Sequence, residues 1–183
     1  MPTSNPYAIT PIVTYVISLK PSSILDIGPG FGKYGVLFRE YLDVWYWRHK
    51  PGQWRVRIDC IEACESYITP VHKHVYDNIY VEDVRYVDFS QLPDYDLICM
   101  INVIECMLKE EGKRVLEECL RKARKAVLVS TPDEWYGPRH ERNPYESRLS
   151  FWPSSEMQAM GARIIKAHGP EKGMETYVAV FER

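Results

Sequence analysis

Ile24-Leu25-Asp26-Ile27-Gly28-Pro29-Gly30-Phe31-Gly32-Lys33-Tyr34-Gly35 is the stretch around which the rest of the chain is organised. Residues 24–27 form an apolar run with one acidic interruption at Asp26, which reads as a buried strand. Glycines then alternate at Gly28, Gly30 and Gly32, and a helical pattern begins. A glycine turn lets the backbone approach a ligand closely, and the start of a helix offers unpaired N–H groups. Strand, glycine turn and helix together therefore predict a ligand-binding device.

Working outward, the helix after the turn carries Tyr34, Leu37, Phe38, Tyr41, Leu42 and Trp45 as a core-facing stripe, with Arg39, Glu40 and Asp43 expected to point away. Upstream, Thr10 and Pro11 suit an N-cap and first helical position, and Pro21 ends that helix. Downstream, residues 56–63 predict a second strand with Glu62 near its end. A weaker helix follows from Ser66 to about Tyr76, interrupted by Pro70, and a short third strand over 79–81 leads to Glu82-Asp83. The nearly unbroken apolar run 95–103 is expected of a central strand covered on both faces. Leu108, Val115, Leu116, Cys119, Leu120 and Ala123 mark a long amphipathic helix, and 126–129 a fifth strand ended by Ser130-Thr131-Pro132.

Residues 133–152 have no periodicity and contain Gly137, Pro138 and Pro144. A loop of that length in a compact domain is usually functional or disordered. A last helix starts at Pro153-Ser154-Ser155-Glu156, and two strands, 163–167 and 176–181, are joined closely enough that they must pair antiparallel. Repeated strand–helix alternation predicts a mostly parallel sheet with helices on both faces. No repeat or linker divides the chain, so one domain over 1–183 is expected.

Composition narrows the function classes. The 183 residues carry a net charge of -2, which gives no electrostatic reason to expect nucleic acid or an acidic membrane. No apolar run approaches a membrane span, and the N-terminus lacks a signal-peptide pattern, so a cytoplasmic protein is expected. The five cysteines, Cys60, Cys64, Cys99, Cys106 and Cys119, sit in apolar segments and read as free thiols in a reducing compartment. Cys60 and Cys64 lack a second pair or histidine to complete a zinc set, so no metal is expected.

Three ligands compete for the glycine turn. A nucleoside-triphosphate loop needs Gly, four residues, then Gly-Lys-Ser/Thr, and fails because position 27 is Ile and position 34 is Tyr. A dinucleotide fingerprint, and with it a nicotinamide-dependent enzyme, is matched by Gly30, Gly32 and Gly35 but leaves Asp26 and Gly28 unexplained. Asp26-Ile27-Gly28-Pro29-Gly30-Phe31-Gly32 resembles the first motif of class I S-adenosylmethionine-dependent methyltransferases. Later landmarks fit the same family: Glu62 for the ribose hydroxyls, Asp83 near the adenine, Tyr95 to Met100 as the fourth-strand motif, and Asn102-Val103-Ile104-Glu105 after it.

This resemblance implies a three-layer Rossmann-like α/β sandwich whose mostly parallel seven-stranded sheet has an antiparallel C-terminal strand. It implies S-adenosyl-L-methionine held by Asp26, Gly28, Pro29, Gly30, Phe31, Gly32, Glu62, Ala63, Asp83, Val84, Asn102 and Val103. Many relatives read Asp-Val-Ile-Glu-His-Leu where this chain has Asn102-Val103-Ile104-Glu105-Cys106-Met107, so the histidine that could act as a base is missing. The insertion 133–152 is the expected lid and acceptor pocket, through Tyr136, Arg139, His140, Glu141, Asn143, Tyr145 and Arg148. His140 and Asn102 are the candidate catalytic residues. The other histidines, His49, His72, His74 and His168, are expected at the surface. A small-molecule acceptor is implied, with a cofactor-binding protein that no longer transfers methyl groups as the alternative.

Overall fold

The computed structural model describes residues 3–135, 137–138, 141–170 and 175–183. Seven strands form one sheet in the order β3-β2-β1-β4-β5-β7-β6. They are β1 (Ser23–Ile27), β2 (Arg57–Ile61), β3 (Asn78–Tyr80), β4 (Tyr95–Ile101), β5 (Ala123–Pro132), β6 (Arg163–Ala167) and β7 (Thr176–Glu182). The first five pair parallel, while β7 lies antiparallel between β5 and β6. The helices are α1 (Ile9–Leu19), α2 (Lys33–Leu42), α3 (Pro70–Val75), α4 (Lys109–Lys122) and α5 (Ser154–Ala159). The expected three-layer, mostly parallel α/β sandwich is what the chain forms.

Strand side chains alternate between faces, so each strand feeds two cores. Ile24, Leu97, Cys99, Val178 and Val180 meet α1, α2 and α3 through Ile12, Val16, Phe38 and Val75. Leu25, Ile98, Met100, Tyr177 and Ala179 meet α4 and α5 through Val115, Leu116 and Met157. With both faces covered, every residue of β1 and β4 is buried. No helix among the described residues is long and apolar enough to cross a membrane.

Several expectations change. A 3-10 turn, Pro6–Ala8, capped by Asn5, precedes α1, so Thr10 and Pro11 lie inside its first turn, where the Thr10 N–H needs no helical partner and the missing N–H of Pro11 costs no hydrogen bond. Pro70 begins α3 instead of interrupting it. β5 is longer at both ends than 126–129, because Ala123 pairs with Tyr95 and Pro132 with Thr176. α2 stops at Leu42, which leaves Trp45 in a 3-10 turn and 69% exposed instead of on the core stripe.

Arg39 and Asp43, expected on the solvent side, are both buried. The Arg39 guanidinium lies 3.9 Å from the centre of the Trp54 ring. Its Nη1 donates to Asp43 Oδ2 at 2.7 Å and to the Val56 carbonyl at 2.6 Å, and Nη2 donates to the Val75 carbonyl at 2.9 Å and Asp77 Oδ2 at 3.1 Å. Burying a charge is tolerated only when it is paired and hydrogen-bonded, and Arg39 meets that condition. It ties α2 to the approach to β2 and the end of α3, the frame on which the glycine turn rests.

Candidate active site

At the carboxyl edge of the sheet the chain leaves β1 through three glycines with positive φ: 68° at Gly28, 57° at Gly30 and 86° at Gly32. L side chains resist that conformation, which explains the spacing in sequence. At Gly28 a Cβ would also come 2.5 Å from Val103 Cγ2, so the turn and the exit of β4 pack directly on each other.

Both polar groups of the Gly30 peptide are held. Its N–H donates to Glu62 Oε2 at 3.3 Å, and its carbonyl lies 3.0 Å from His72 Nε2. His72 Nδ1 accepts from the Thr69 N–H at 3.2 Å, which leaves Nε2 as the donor. Far from the surface position expected of it, His72 is fully buried, stacked on Tyr76, and burial lowers its pKa. It is a neutral strut beneath the glycine turn. The signal that could have found it is the Thr69-Pro70-x-His72 start of α3, where a side chain at the third helical position reaches back to the cap.

Glu62 is buried at the end of β2. Its Oε1 accepts from the Cys64 N–H at 2.9 Å while Oε2 accepts from Gly30. An ionised carboxylate has about four acceptor positions, so each oxygen keeps one for a ligand. Burial raises its pKa, and the Cys64 and Gly30 N–H groups oppose that shift. Asp26 is deeper. It accepts from the Tyr76 hydroxyl at 2.6 Å, and burial first, then the nearby Glu62 charge, push its pKa up to about 6.

These elements surround a cavity of about 360 Å³. Gly28 and Gly30 form one wall; Glu62, Ala63, Asp83 and Val84 form the next; Asn102 and Val103 lie at the exit of β4. From the insertion come Glu141, Tyr145, Glu146 and Arg148. Pro29, Phe31, Gly32, Asp26 and Asn143 stand outside the lining. Phe31 is exposed at the tip of the turn, Gly32 is the N-cap of α2 and donates to the Pro29 carbonyl, and Asp26 acts from behind. Tyr136, Arg139 and His140 lie outside the described residues.

Two details add to the sequence reading. The Asp83 carboxylate is gripped by Arg85, with Nε 3.0 Å from both oxygens and Nη2 2.6 Å from Oδ2. Burial pushes the Asp83 pKa up, but the Arg85 contacts outweigh it and hold it below the ordinary value. Asp83 therefore faces the cavity as half of an ion pair. The Cys106 thiol is pushed up to about 12, by burial first and the neighbouring Glu105 next, so it is not a thiolate base.

The insertion is latched across the cavity. The Tyr67 hydroxyl donates to Glu146 Oε1 and accepts from Asn143 Nδ2, the latter at 2.8 Å. Tyr67 belongs to the turn that follows Cys64, whose N–H holds Glu62. Sequence reading missed Tyr67 because its partners are 76 and 79 residues away.

No protein-family model and no curated protein matches the chain. Solved structures do. The N-terminal domain of EvdMO1 with S-adenosylhomocysteine bound is 17% identical at a TM-score of 0.65, over 98% of this chain and 82% of that one. 1,6-Didemethyltoxoflavin-N1-methyltransferase of Burkholderia thailandensis, with 1,6-didemethyltoxoflavin and S-adenosylhomocysteine bound, is 14% identical at 0.68, over 96% and 78%. Magnesium protoporphyrin IX methyltransferase of Synechocystis PCC 6803, with S-adenosylhomocysteine bound, is 10% identical at 0.67, over 96% and 81%. The chain thus has the Rossmann-like fold of class I S-adenosylmethionine-dependent methyltransferases.

Proposed function

We propose that the chain is an S-adenosylmethionine-dependent methyltransferase, one domain over residues 1–183 with 133–152 as its lid, acting on a small-molecule acceptor in the cytoplasm. The observation that carries this reading is Glu62. A buried carboxylate, fixed by two backbone N–H groups at a strand end and bordering a cavity, keeps an acceptor position on each oxygen. That is what a ribose diol requires.

The surroundings fit the cofactor. The glycine turn lets backbone pass close beneath it, and Ala63 and Val84 give apolar contact beside the ion-paired Asp83. When bound, the cofactor supplies an electrophilic methyl group on a sulfonium. The chain's own residues bind and orient: Glu62 holds one end, Asn102 and Val103 border the other, and the latched insertion excludes water. Because the sulfonium loses its charge during transfer, a dry site does not oppose the reaction. Alignment of the reacting atoms is worth up to roughly 7–11 kcal/mol in favourable cases.

Calorimetric titration with S-adenosylhomocysteine, beside a methyl-transfer assay over acceptor classes, tests the reading. Binding together with transfer is expected; tight binding of NAD with none of S-adenosylhomocysteine would overturn it. A second reading, cofactor binding without transfer, draws support from the protonated Cys106 at the position where relatives carry histidine. Binding with no transfer to any acceptor would favour it.

A further inference from the structure

The residues between α2 and β2 serve neither the cavity nor the core. Trp45, Tyr46 and Trp47 are 69%, 51% and 82% exposed, three consecutive aromatics in contact with water. Tryptophan is buried on average, and a contiguous exposed run of large apolar side chains points to an interaction site. The turn that carries them is held firmly. The Asp43 carbonyl accepts from the N–H groups of Tyr46 at 2.9 Å and Arg48 at 3.2 Å. The buried Asp43 Oδ1 accepts from Arg48 Nε and from the Arg55 N–H, both at 2.8 Å. Trp47 is fixed at φ 63°, in the left-handed region that a bulky L residue adopts only at a cost.

The net charge of -2 hides an uneven distribution. Residues 44–55 contain Arg48, Lys50 and Arg55 and no acid. Because Asp43 holds Arg55 two residues before β2, the turn lies at the amino edge of the sheet, opposite the cavity. Ion pairs along that edge bury the carboxylate and leave the cation nearer solvent: Asp43 under Arg48, Asp59 under Arg57, and Asp96 under Arg124 and Lys125. Of the exposed carboxylates nearby, Asp77 is held by Arg39 and Asp94 by Lys122, while Glu40 stands on α2. Lys50 and Arg55 are exposed and have no carboxylate partner among the described residues.

We propose that this edge docks on the surface of an anionic phospholipid bilayer, with Trp45, Tyr46 and Trp47 seated at the level of the headgroups and Lys50 and Arg55 against their phosphates. Trp and Tyr suit that layer because each joins an apolar ring to a polar tip. Cations beside them are drawn to the negative surface. A two-fold contact with a second copy would instead set the same cations against each other. Nucleic acid is held mainly through its phosphates, and two unpaired cations are few for that. The Tyr46 ring, which could stack on a base, has the Arg48 guanidinium 5.2 Å from its centre. Attachment by the amino edge leaves the cavity at the carboxyl edge open to solvent, whatever that cavity binds.

The chain is mixed with vesicles of phosphatidylcholine alone, and with vesicles of three parts phosphatidylcholine to one part phosphatidylglycerol, and the bound fraction is read by flotation. Partition onto the anionic vesicles should exceed that onto the neutral ones at least tenfold and should fall as salt is raised. Trp45→Ser combined with Trp47→Ser should lower partition at least tenfold. Lys50→Glu combined with Arg55→Glu should reduce the preference for anionic vesicles to threefold or less. The urea midpoint of each variant reports whether it folds; should a double variant fail, the single variants Trp47→Ser and Lys50→Glu, each expected to lower partition at least threefold, decide instead. Absence of flotation with either vesicle, or flotation that either set of substitutions leaves within twofold of wild type, would overturn the proposal. So would a concentration-dependent dimer, seen by ultracentrifugation, that the tryptophan substitutions dissolve, or tighter capture by a single-stranded oligonucleotide than by the anionic vesicles.

Discussion

Replacing Glu62 by Gln separates what the carboxylate does for the fold from what it does for the cofactor. In the free protein Oε1 accepts from Cys64 N–H and Oε2 from Gly30 N–H, so Gln must turn its NH₂ toward one of those donors. One backbone N–H is then left facing another donor, at a cost of about 1–3 kcal/mol of stability. The cofactor loses something different. A hydrogen bond to a charged group contributes about 1.5–3 kcal/mol, and Gln retains only one of the two acceptor oxygens. Affinity for S-adenosylhomocysteine should fall by about 10- to 150-fold, at 1.4 kcal/mol per decade. Calorimetry measures the affinity and urea denaturation the stability. The pH profile adds a check. The Glu62 pKa is raised, so wild-type affinity should weaken as pH falls toward that raised value, because protonation removes an acceptor. Glu62→Gln should lack that dependence. A folded variant that binds within threefold of wild type would refute the ribose assignment.

Other expectations concern the frame. Asp26 has a pKa of about 6 in the fold against an ordinary 3.8, so the folded state binds the proton more tightly and stability falls as pH rises from about 4 to 6. Asp26→Asn should therefore be more stable than wild type by roughly 1–3 kcal/mol at pH 8, and the difference should vanish by pH 4 in urea titrations. Arg39→Met strips donors from the Val56 and Val75 carbonyls and from Asp43, and should destabilise by about 3–5 kcal/mol in urea titration. Gly35→Ala would set a Cβ 2.4 Å from the Tyr76 ring and hydroxyl, and should cost about 1–3 kcal/mol, read as a lowered urea midpoint. Tyr67→Phe removes the latch on Glu146 and Asn143. Hydrogen exchange across residues 141–148 should accelerate, with little change in global stability.

The sheet was legible because its strands announce themselves. β4 is apolar but for Asp96 since both its faces are covered, and the glycines betray their positive φ by spacing alone. Glu62 could be placed from its position at a strand end. Arg39 and His72 could not, because residue type argues for solvent and only their partners reverse that. Those partners are backbone carbonyls and carboxylates that the fold brings together from α2, β2 and α3. Arg39 did leave a trace, four residues before Asp43 at the edge of an apolar stripe. Asp83 was placed near the adenine, but its ion pair with Arg85, two positions on, was not foreseen. Proximity in sequence says nothing of whether two side chains meet.

The insertion is pinned at two places by groups that have no part in ligand contact. At one end Asp133 accepts from the Ser154 N–H and hydroxyl; at the other the N–H groups of Leu149 and Ser150 donate to the Glu105 carbonyl. Closing a loop between fixed points costs only about 0.6 kcal/mol more for each doubling of its length. The span from 134 to 148 is thus an exchangeable cassette. Its length and side chains could be rewritten, by evolution or by grafting, while the sheet edge and the cofactor wall keep their shape. A family built on this plan would diversify its acceptors faster than its fold.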